Sequence, residues 1–258
     1  MSRARYVAGL RAVEQLLTTR PGDVRAIYAE YRTANPRVEA VIARAGELDI
    51  EVRPANRARL AQLSGETRHQ GVVAEIRRST VLDEAGLRTL VEERLTADGG
   101  PPLLLLVLDG VQDPHNLGAC LRTAEAAGAD AVVAPRHGAA GLGPAVSKVA
   151  AGAAEVLPFA SVPNVARVLG WLREYGVRIV GTSDAARESL FEADLGGPLA
   201  FVMGEEHRGL RRSVQERCDI LVRLPMHGTV QSLNLSVACG ICLYEAVRQR
   251  AAAAAAPG

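Results

Sequence analysis

Long apolar runs, a cysteine framework and lysine are all scarce in this 258-residue chain. No apolar stretch approaches the ~20 residues of a membrane span, and Leu103 to Leu108 is long enough only for a buried strand. The four cysteines, at 120, 218, 239 and 242, are too few and too clustered to staple a fold, which points to a reducing, cytoplasmic setting. The beginning, Met-Ser-Arg-Ala-Arg, leads straight into polar, helix-forming sequence, so no secretory leader is expected. The five histidines are scattered and form no ligand spacing, so no metal is expected. Gly141-Leu-Gly143 lacks the third glycine of a dinucleotide fingerprint and does not directly follow a strand, which argues against a nucleotide-dependent oxidoreductase. Cys239 and Cys242 sit in an apolar helical pattern with no second ligand pair nearby, as packed thiols would. No internal repeat is visible.

Lysine occurs once, at Lys148, against 29 arginines, and the overall charge is +1. That near-neutrality conceals an asymmetry. Residues 1–78 carry fourteen arginines against nine acidic residues, residues 79–100 carry a net −3, and the remainder a net −1. A basic front on a neutral body suits contact with a polyanion, although a solvated charged surface has the same composition.

Periodicity divides the chain in two. Residues 1–78 alternate helical patterns (8–19, 36–48, 56–63) with strand patterns (24–29, 49–53, 71–76), an α/β module. Residues 79–100 read as an acidic linker containing a short helical pattern, closed by Asp98-Gly-Gly-Pro-Pro102. Residues 101–250 read as a parallel α/β domain. Strands are expected at 103–109, 131–134, 156–159, 177–182, 199–203 and 220–224, with helices at 116–127, 144–151, 163–175 and 211–217 and a closing helix at 232–250. Residues 251–258, largely alanine, read as a frayed tail. In such a sheet, ligands bind beyond the carboxyl ends of the strands.

Three polar clusters fall at strand ends. Asp109-Gly-Val-Gln-Asp-Pro-His-Asn116 turns into a helix that Asn116 would cap, with Arg122 six residues on. Phe201-Val-Met-Gly204-Glu-Glu206 sets carboxylates at a strand's edge. Leu224-Pro-Met226 leads through a glycine loop to Ser232-Leu233-Asn234 at the start of the last helix, whose free N–H groups attract anions. Each alone also fits ordinary capping or a charged loop.

In this order, however, Asn116-x5-Arg122, Gly204-x-Glu206-x-x-Gly209 and Pro225 with Ser232-Leu-Asn234 resemble the three signature motifs of the SpoU–TrmH family of RNA ribose 2′-O-methyltransferases. The similarity runs from Asp109 to Arg250. Tyr6-Val-Ala-Gly-Leu-Arg-Ala-Val-Glu and His69-Gln-Gly-Val-Val-Ala resemble that family's small ribosomal-protein-L30-like RNA-binding domain. Glu205, His207, Arg208 and Gln231 depart from the family pattern beside the motif residues. The resemblance implies a C-terminal parallel-sheet domain of the SPOUT type with a deep trefoil knot. It also implies S-adenosylmethionine as cofactor, against Thr182, Gly204, Leu224, Met226 and Leu233. A homodimer through the C-terminal domain would complete each site, and the substrate would be a ribose, a guanosine, in 23S ribosomal RNA. Arg122 would act as base or as charge stabiliser. Asn116 would orient Arg122 or the ribose, Glu206 would hold Arg122, and Ser232 and Asn234 would shape the site's edge. The resemblance leaves open a tRNA or adenosine target, or a non-catalytic ribosome-binding protein.

Overall fold

The computed structural model describes residues 5–19, 21–31, 34–65, 67–76, 81–206, 208–230 and 232–255. His207 and Gln231, two of the positions that depart from the family pattern, lie outside the described residues. The chain divides into two compact units, Met1–Thr80 with Ala151–Val156, and Val81–Ala150 with Leu157–Gly258.

The first unit runs β1 (Arg5–Ala8), α1 (Leu10–Thr19), β2 (Val24–Glu30), α2 (Pro36–Glu47), β3 (Glu51–Ala55), α3 (Arg57–Ser64) and β4 (Val72–Ile76). Among the described residues its sheet has four strands, ordered β1-β4-β2-β3. Leu10, Val13, Leu16 and Leu17 share one face of α1 and are buried with Val38, Val41 and Ala45 of α2, the helical spacing seen in the sequence. Asn35 and Asn56 accept the Arg37 and Arg59 N–H groups and cap α2 and α3.

The second unit runs β5 (Val81–Leu82), α4 (Glu84–Thr96), β6 (Leu104–Asp109), α5 (Pro114–Ala126), β7 (Ala131–Pro135) and α6 (Pro144–Ala150). After α7 (Ala153–Val156), which groups with the first unit, come β8 (Phe159–Val162), α8 (Val165–Glu174), β9 (Arg178–Thr182), β10 (Glu188–Ser189), β11 (Leu199–Gly204), α9 (Arg212–Gln215), β12 (Ile220–Arg223) and α10 (Leu235–Ala255). Among the described residues these strands make one eight-stranded sheet, β10-β12-β9-β11-β6-β7-β8-β5. Every pairing in it is parallel. All six residues of β6 are buried, as a strand flanked by two others and covered on both faces requires.

Several sequence expectations move. Residues 79–100 contain structure that belongs to the second unit: β5 pairs with β8, and Leu87 and Val91 of α4 are fully buried in that unit's core. The Gly-Pro cluster at 98–102 therefore marks a turn within the unit, because Gly and Pro stop a helix whatever it packs against. Val156, expected to start a strand, ends α7 instead. The closing helix begins at Leu235 rather than Ser232 and runs through Ala255, so 251–255 are helical, as alanine's propensity favours.

Candidate active site

Strands β6, β9, β11 and β12 end side by side at Asp109, Thr182, Gly204 and Arg223. The loops leaving those ends build the site. After β11 the chain doubles back at once: the Glu205 N–H donates to Gly209 O at 3.1 Å and the Gly209 N–H to Glu205 O at 2.8 Å. Gly209 adopts φ +64°, a left-handed conformation that costs glycine little. A Cβ on Gly204 would overlap the backbone of Gly209 and Leu210. Glycine at 204 is therefore demanded by the loop's own return, not by space reserved for a ligand as a strand-end glycine alone would suggest.

Asp109 anchors the far side of this loop. It is only 1% exposed, and its carboxylate accepts the Arg211 backbone N–H at 3.0 Å and the guanidinium Nε–H at 2.8 Å, with Nη2 also in contact. The hydrogen bonds to this carboxylate hold the Arg211 guanidinium above its ordinary pKa. The pairing spans 102 residues, and nothing local in the sequence announces it.

The expected site residues converge in part. Asp113, not Asn116, caps α5 by accepting the His115 N–H at 2.9 Å, with Pro114 in the first turn. Asn116 is thereby left in the first turn with its amide available. Its Nδ2 donates to Glu206 Oε1 at 3.1 Å. Asn234 Nδ2 donates to Asn116 Oδ1 at 3.0 Å and to Glu206 Oε1 at 2.8 Å, and the Leu235 N–H donates to the same carboxylate oxygen at 3.1 Å. Asn234 Oδ1 meanwhile accepts the Ser236 N–H at 2.9 Å, capping α10. One carboxylate thus ties together the first turn of α5, the β11 loop and the start of α10.

Arg122 is not part of this cluster. A helix turns ~100° per residue, so Arg122 leaves α5 roughly 120° around from Asn116. It is exposed and makes no hydrogen bond or ion pair among the described residues. Glu206, expected to hold Arg122, instead holds the two asparagines and Leu235.

Beside the cluster lies a cavity of about 380 Å³ lined by Thr182, Gly204, Leu224, Met226 and Leu233, with Glu206 and Ser232 at its wall. All five residues expected to touch a cofactor share it. Ser232 makes no hydrogen bond among the described residues. The cavity's size falls within the ~300–1,000 Å³ usual for cofactor pockets. Leucine and methionine walls suit an adenine ring and a thioether-bearing chain, and Thr182, Ser183 and Asp184 add polar groups, so the donor set fits S-adenosylmethionine.

The thiols lie elsewhere. Burial pushes Cys242 up to about 12, and a hydrogen bond with Cys120 together with burial raises Cys239. Among the described residues no group of three or more His, Cys, Asp or Glu side chains is placed to hold a metal.

A parallel sheet with its pocket over the carboxyl ends of the strands defines the larger unit as an α/β protein with its ligand site at the strand edge. Comparison with known proteins narrows the class: residues 103–244 match the SpoU rRNA methylase family, and residues 6–82 match the RNA 2′-O ribose methyltransferase substrate-binding family. The chain belongs to the SpoU rRNA methylase family. It is 46% identical over 254 residues to the 23S rRNA (guanosine-2′-O-)-methyltransferase RlmB of Coxiella burnetii, covering 98% of this chain and 99% of the relative. To the protein of the same name from Pseudomonas putida it is 49% identical over 251 residues, covering 97% and 98%. Among solved structures, an RNA 2′-O ribose methyltransferase aligns with a TM-score of 0.65 at 30% identity, covering 96% of this chain and 90% of that one. The SpoU methyltransferase AviRb from Streptomyces viridochromogenes, in complex with the cofactor AdoMet, aligns with a TM-score of 0.70 at 25% identity, with the same coverages.

Proposed function

We propose that this protein transfers a methyl group from S-adenosylmethionine to the ribose 2′-oxygen of a guanosine in 23S ribosomal RNA. The observation that carries this reading is the meeting of Asn116 and Asn234, from two separate motifs, on Glu206 of a third, which lines the cavity formed with Thr182, Gly204, Leu224, Met226 and Leu233. The full-length similarity to two proteins named for this reaction supports the choice of 23S guanosine over a tRNA or adenosine target.

The chemistry supplied by the bound cofactor is an electrophilic sulfonium methyl. The chain's residues supply position and charge. Holding nucleophile and methyl in line can lower the barrier by ~7–11 kcal/mol. The Glu206 carboxylate keeps both asparagine amides and the α10 N-terminus in one arrangement beside the pocket. The Arg122 guanidinium offers N–H donors and no acceptor, and so acts by binding phosphate and stabilising negative charge on the attacking oxygen as its proton passes to water.

The working form is a homodimer in which Arg122 serves the partner's site. Support comes from its exposure away from its own cluster. Val237, Ile241 and Tyr244 also form a stripe on α10, with Val237 and Tyr244 about half exposed. The return of Asn234, eleven residues beyond β12, onto Asn116 and Glu206 supports the threaded, knotted course expected for the family. No described helix is long and apolar enough to cross a membrane, and a cytoplasmic location suits an rRNA substrate.

The test is ribose-methylation mapping of 23S rRNA incubated with the pure protein and S-adenosylmethionine. One new 2′-O-methylguanosine is expected. Methylation of tRNA or adenosine alone, or none, overturns the assignment.

A further inference from the structure

A second, smaller cavity of about 190 Å³ opens in the larger unit over the carboxyl ends of β11, β6 and β7. These strands are consecutive in the sheet, and the cofactor cavity lies over the ends of β12, β9 and β11, so the two cavities sit side by side along one edge. Glu205, Arg208 and Gly209 line both, which makes the β11 loop their common wall. On the far side the Ala140 N–H donates to Val111 O at 2.8 Å and ties the loop after β7 to the loop after β6. The volume falls below the ~300 Å³ at which ordinary small-molecule pockets begin, so it suits one flat ring system rather than a whole nucleotide.

The polar groups of this cavity are of two kinds. Arg211 uses its Nε–H and Nη2 on the buried Asp109 carboxylate, which fixes the plane of the guanidinium, and its Nη1 makes no hydrogen bond among the described residues. A guanidinium held by one edge still offers a second fork of N–H donors. Glu205 is partly buried, and its carboxylate makes no hydrogen bond or ion pair among the described residues. The cavity therefore sets one oriented donor fork beside one open pair of acceptors. Guanine has the matching edges: O6 and N7 accept a bidentate arginine, and N1–H and the N2 amine donate to a carboxylate. Adenine carries an amino donor where guanine has O6, and would meet the arginine fork donor to donor.

We propose that this cavity receives the base of the target guanosine, with O6 and N7 on Arg211 and with N1–H and the N2 amine on Glu205. The proposal rests on the reading that a guanosine ribose is the substrate, and it adds where the base is held, leaving the ribose on the cofactor side of the shared wall. Asp109 is then a positioning residue, which acts on the base only through the Arg211 fork. Glu205 departs from the family pattern, so its contact is one that this chain adds, and its loss lowers selectivity without abolishing transfer.

The test removes single groups from the base. A 23S rRNA fragment containing the methylated site is synthesised with guanosine, inosine (no N2 amine) or 7-deazaguanosine (no N7) at that position, and kcat/KM is measured with the full-length protein, E205A and R211K. E205A removes a carboxylate without hydrogen bonds among the described residues, and R211K keeps a cation beside the buried Asp109, so both variants should fold. Wild type is expected to lose about tenfold on either analogue, the scale of one base-edge contact. E205A should lose about tenfold on guanosine and nothing further on inosine, while still losing about tenfold on 7-deazaguanosine. R211K should show the converse. Each preference is a ratio within one enzyme, so a change in S-adenosylmethionine binding common to all three RNAs cancels. A wild type indifferent to both analogues, an E205A that still prefers guanosine to inosine, or an R211K that still prefers guanosine to 7-deazaguanosine would each overturn the subsite.

Fluorescence titration of a single-stranded oligouridine carrying one guanosine or one inosine reads the Glu205 contact without turnover, in wild type and E205A. If no guanosine of 23S rRNA is methylated, yet wild type prefers the guanosine oligomer and E205A does not, the proposed reaction falls and the subsite stands. If that preference is absent as well, both fall.

Discussion

Asn234→Asp separates helix capping from site assembly at one atom. Asn234 Oδ1 caps α10 through the Ser236 N–H at 2.9 Å, and aspartate performs that role as well as asparagine. A carboxylate at a helix N-terminus also gains from the helix dipole. The Nδ2 side is different. It makes two hydrogen bonds, to Asn116 Oδ1 at 3.0 Å and Glu206 Oε1 at 2.8 Å, and the substitution puts an acceptor where both partners also present acceptors. Losing the two bonds costs about 1–3 kcal/mol at ~0.5–1.5 each. Two carboxylates ~4 Å apart add about 1 kcal/mol in water and ~4 at the effective dielectric of a protein surface; because Glu206 is exposed, the lower figure applies. The sum, about 3 kcal/mol, corresponds to roughly 100-fold at ~1.4 kcal/mol per tenfold if the cluster must be intact for transfer. The assay is single-turnover transfer of a labelled methyl group to 23S rRNA, with Tm measured on the same samples. The expected result is a rate loss of ~10²-fold with Tm within a few degrees of wild type. Asn234→Ala should lose the cap as well, which lowers stability by about 1 kcal/mol and so lowers Tm. An Asn234→Asp enzyme within threefold of wild type would refute the idea that the Glu206 carboxylate organises the site.

Arg122→Lys should lose almost as much single-turnover rate as Arg122→Ala, at least ~10²-fold, because an ammonium cannot present a planar fork; a lysine variant within a few-fold of wild type would show that charge alone suffices. Both variants should bind S-adenosylmethionine normally, since Arg122 lies outside the cavity. Gly204→Val should abolish cofactor binding, measured by calorimetry, while far-UV circular dichroism stays native, because its side chain would displace the Gly209–Leu210 backbone that forms the cavity wall; an unchanged Kd would be incompatible with that geometry. A fragment starting at residue 101 should melt well below one starting at 81, since removing α4 uncovers the buried core that receives Leu87 and Val91; equal Tm values would return residues 81–100 to the status of linker.

Periodicity and strand-end chemistry carried much of this protein in the sequence itself. The apolar run at 103–109 read as a buried parallel strand, observed at Leu104–Asp109, and the spacing of Leu10, Val13, Leu16 and Leu17 read as one face of a helix, because each signal lies within a turn or a strand of its neighbours. The pocket residues Thr182, Gly204, Leu224, Met226 and Leu233 were legible through family resemblance, and the cavity unites them. Tertiary structure alone decided which side chains meet. Glu206 grips Asn116 and Asn234, 90 and 28 residues away, and Asp109 grips Arg211 across 102. The strand order β9-β11-β6 makes those partners neighbours, and no property of a short window specifies a strand order. Arg122 shows the same limit from the other side, since six residues of separation from Asn116 look like proximity in a motif but place the two on different faces of α5. The helix at 84–96 was visible as a pattern, yet only the parallel pairing of β5 with β8 assigned it to the second unit. A helix's sequence records that it has an apolar side; what covers that side is a property of the whole fold.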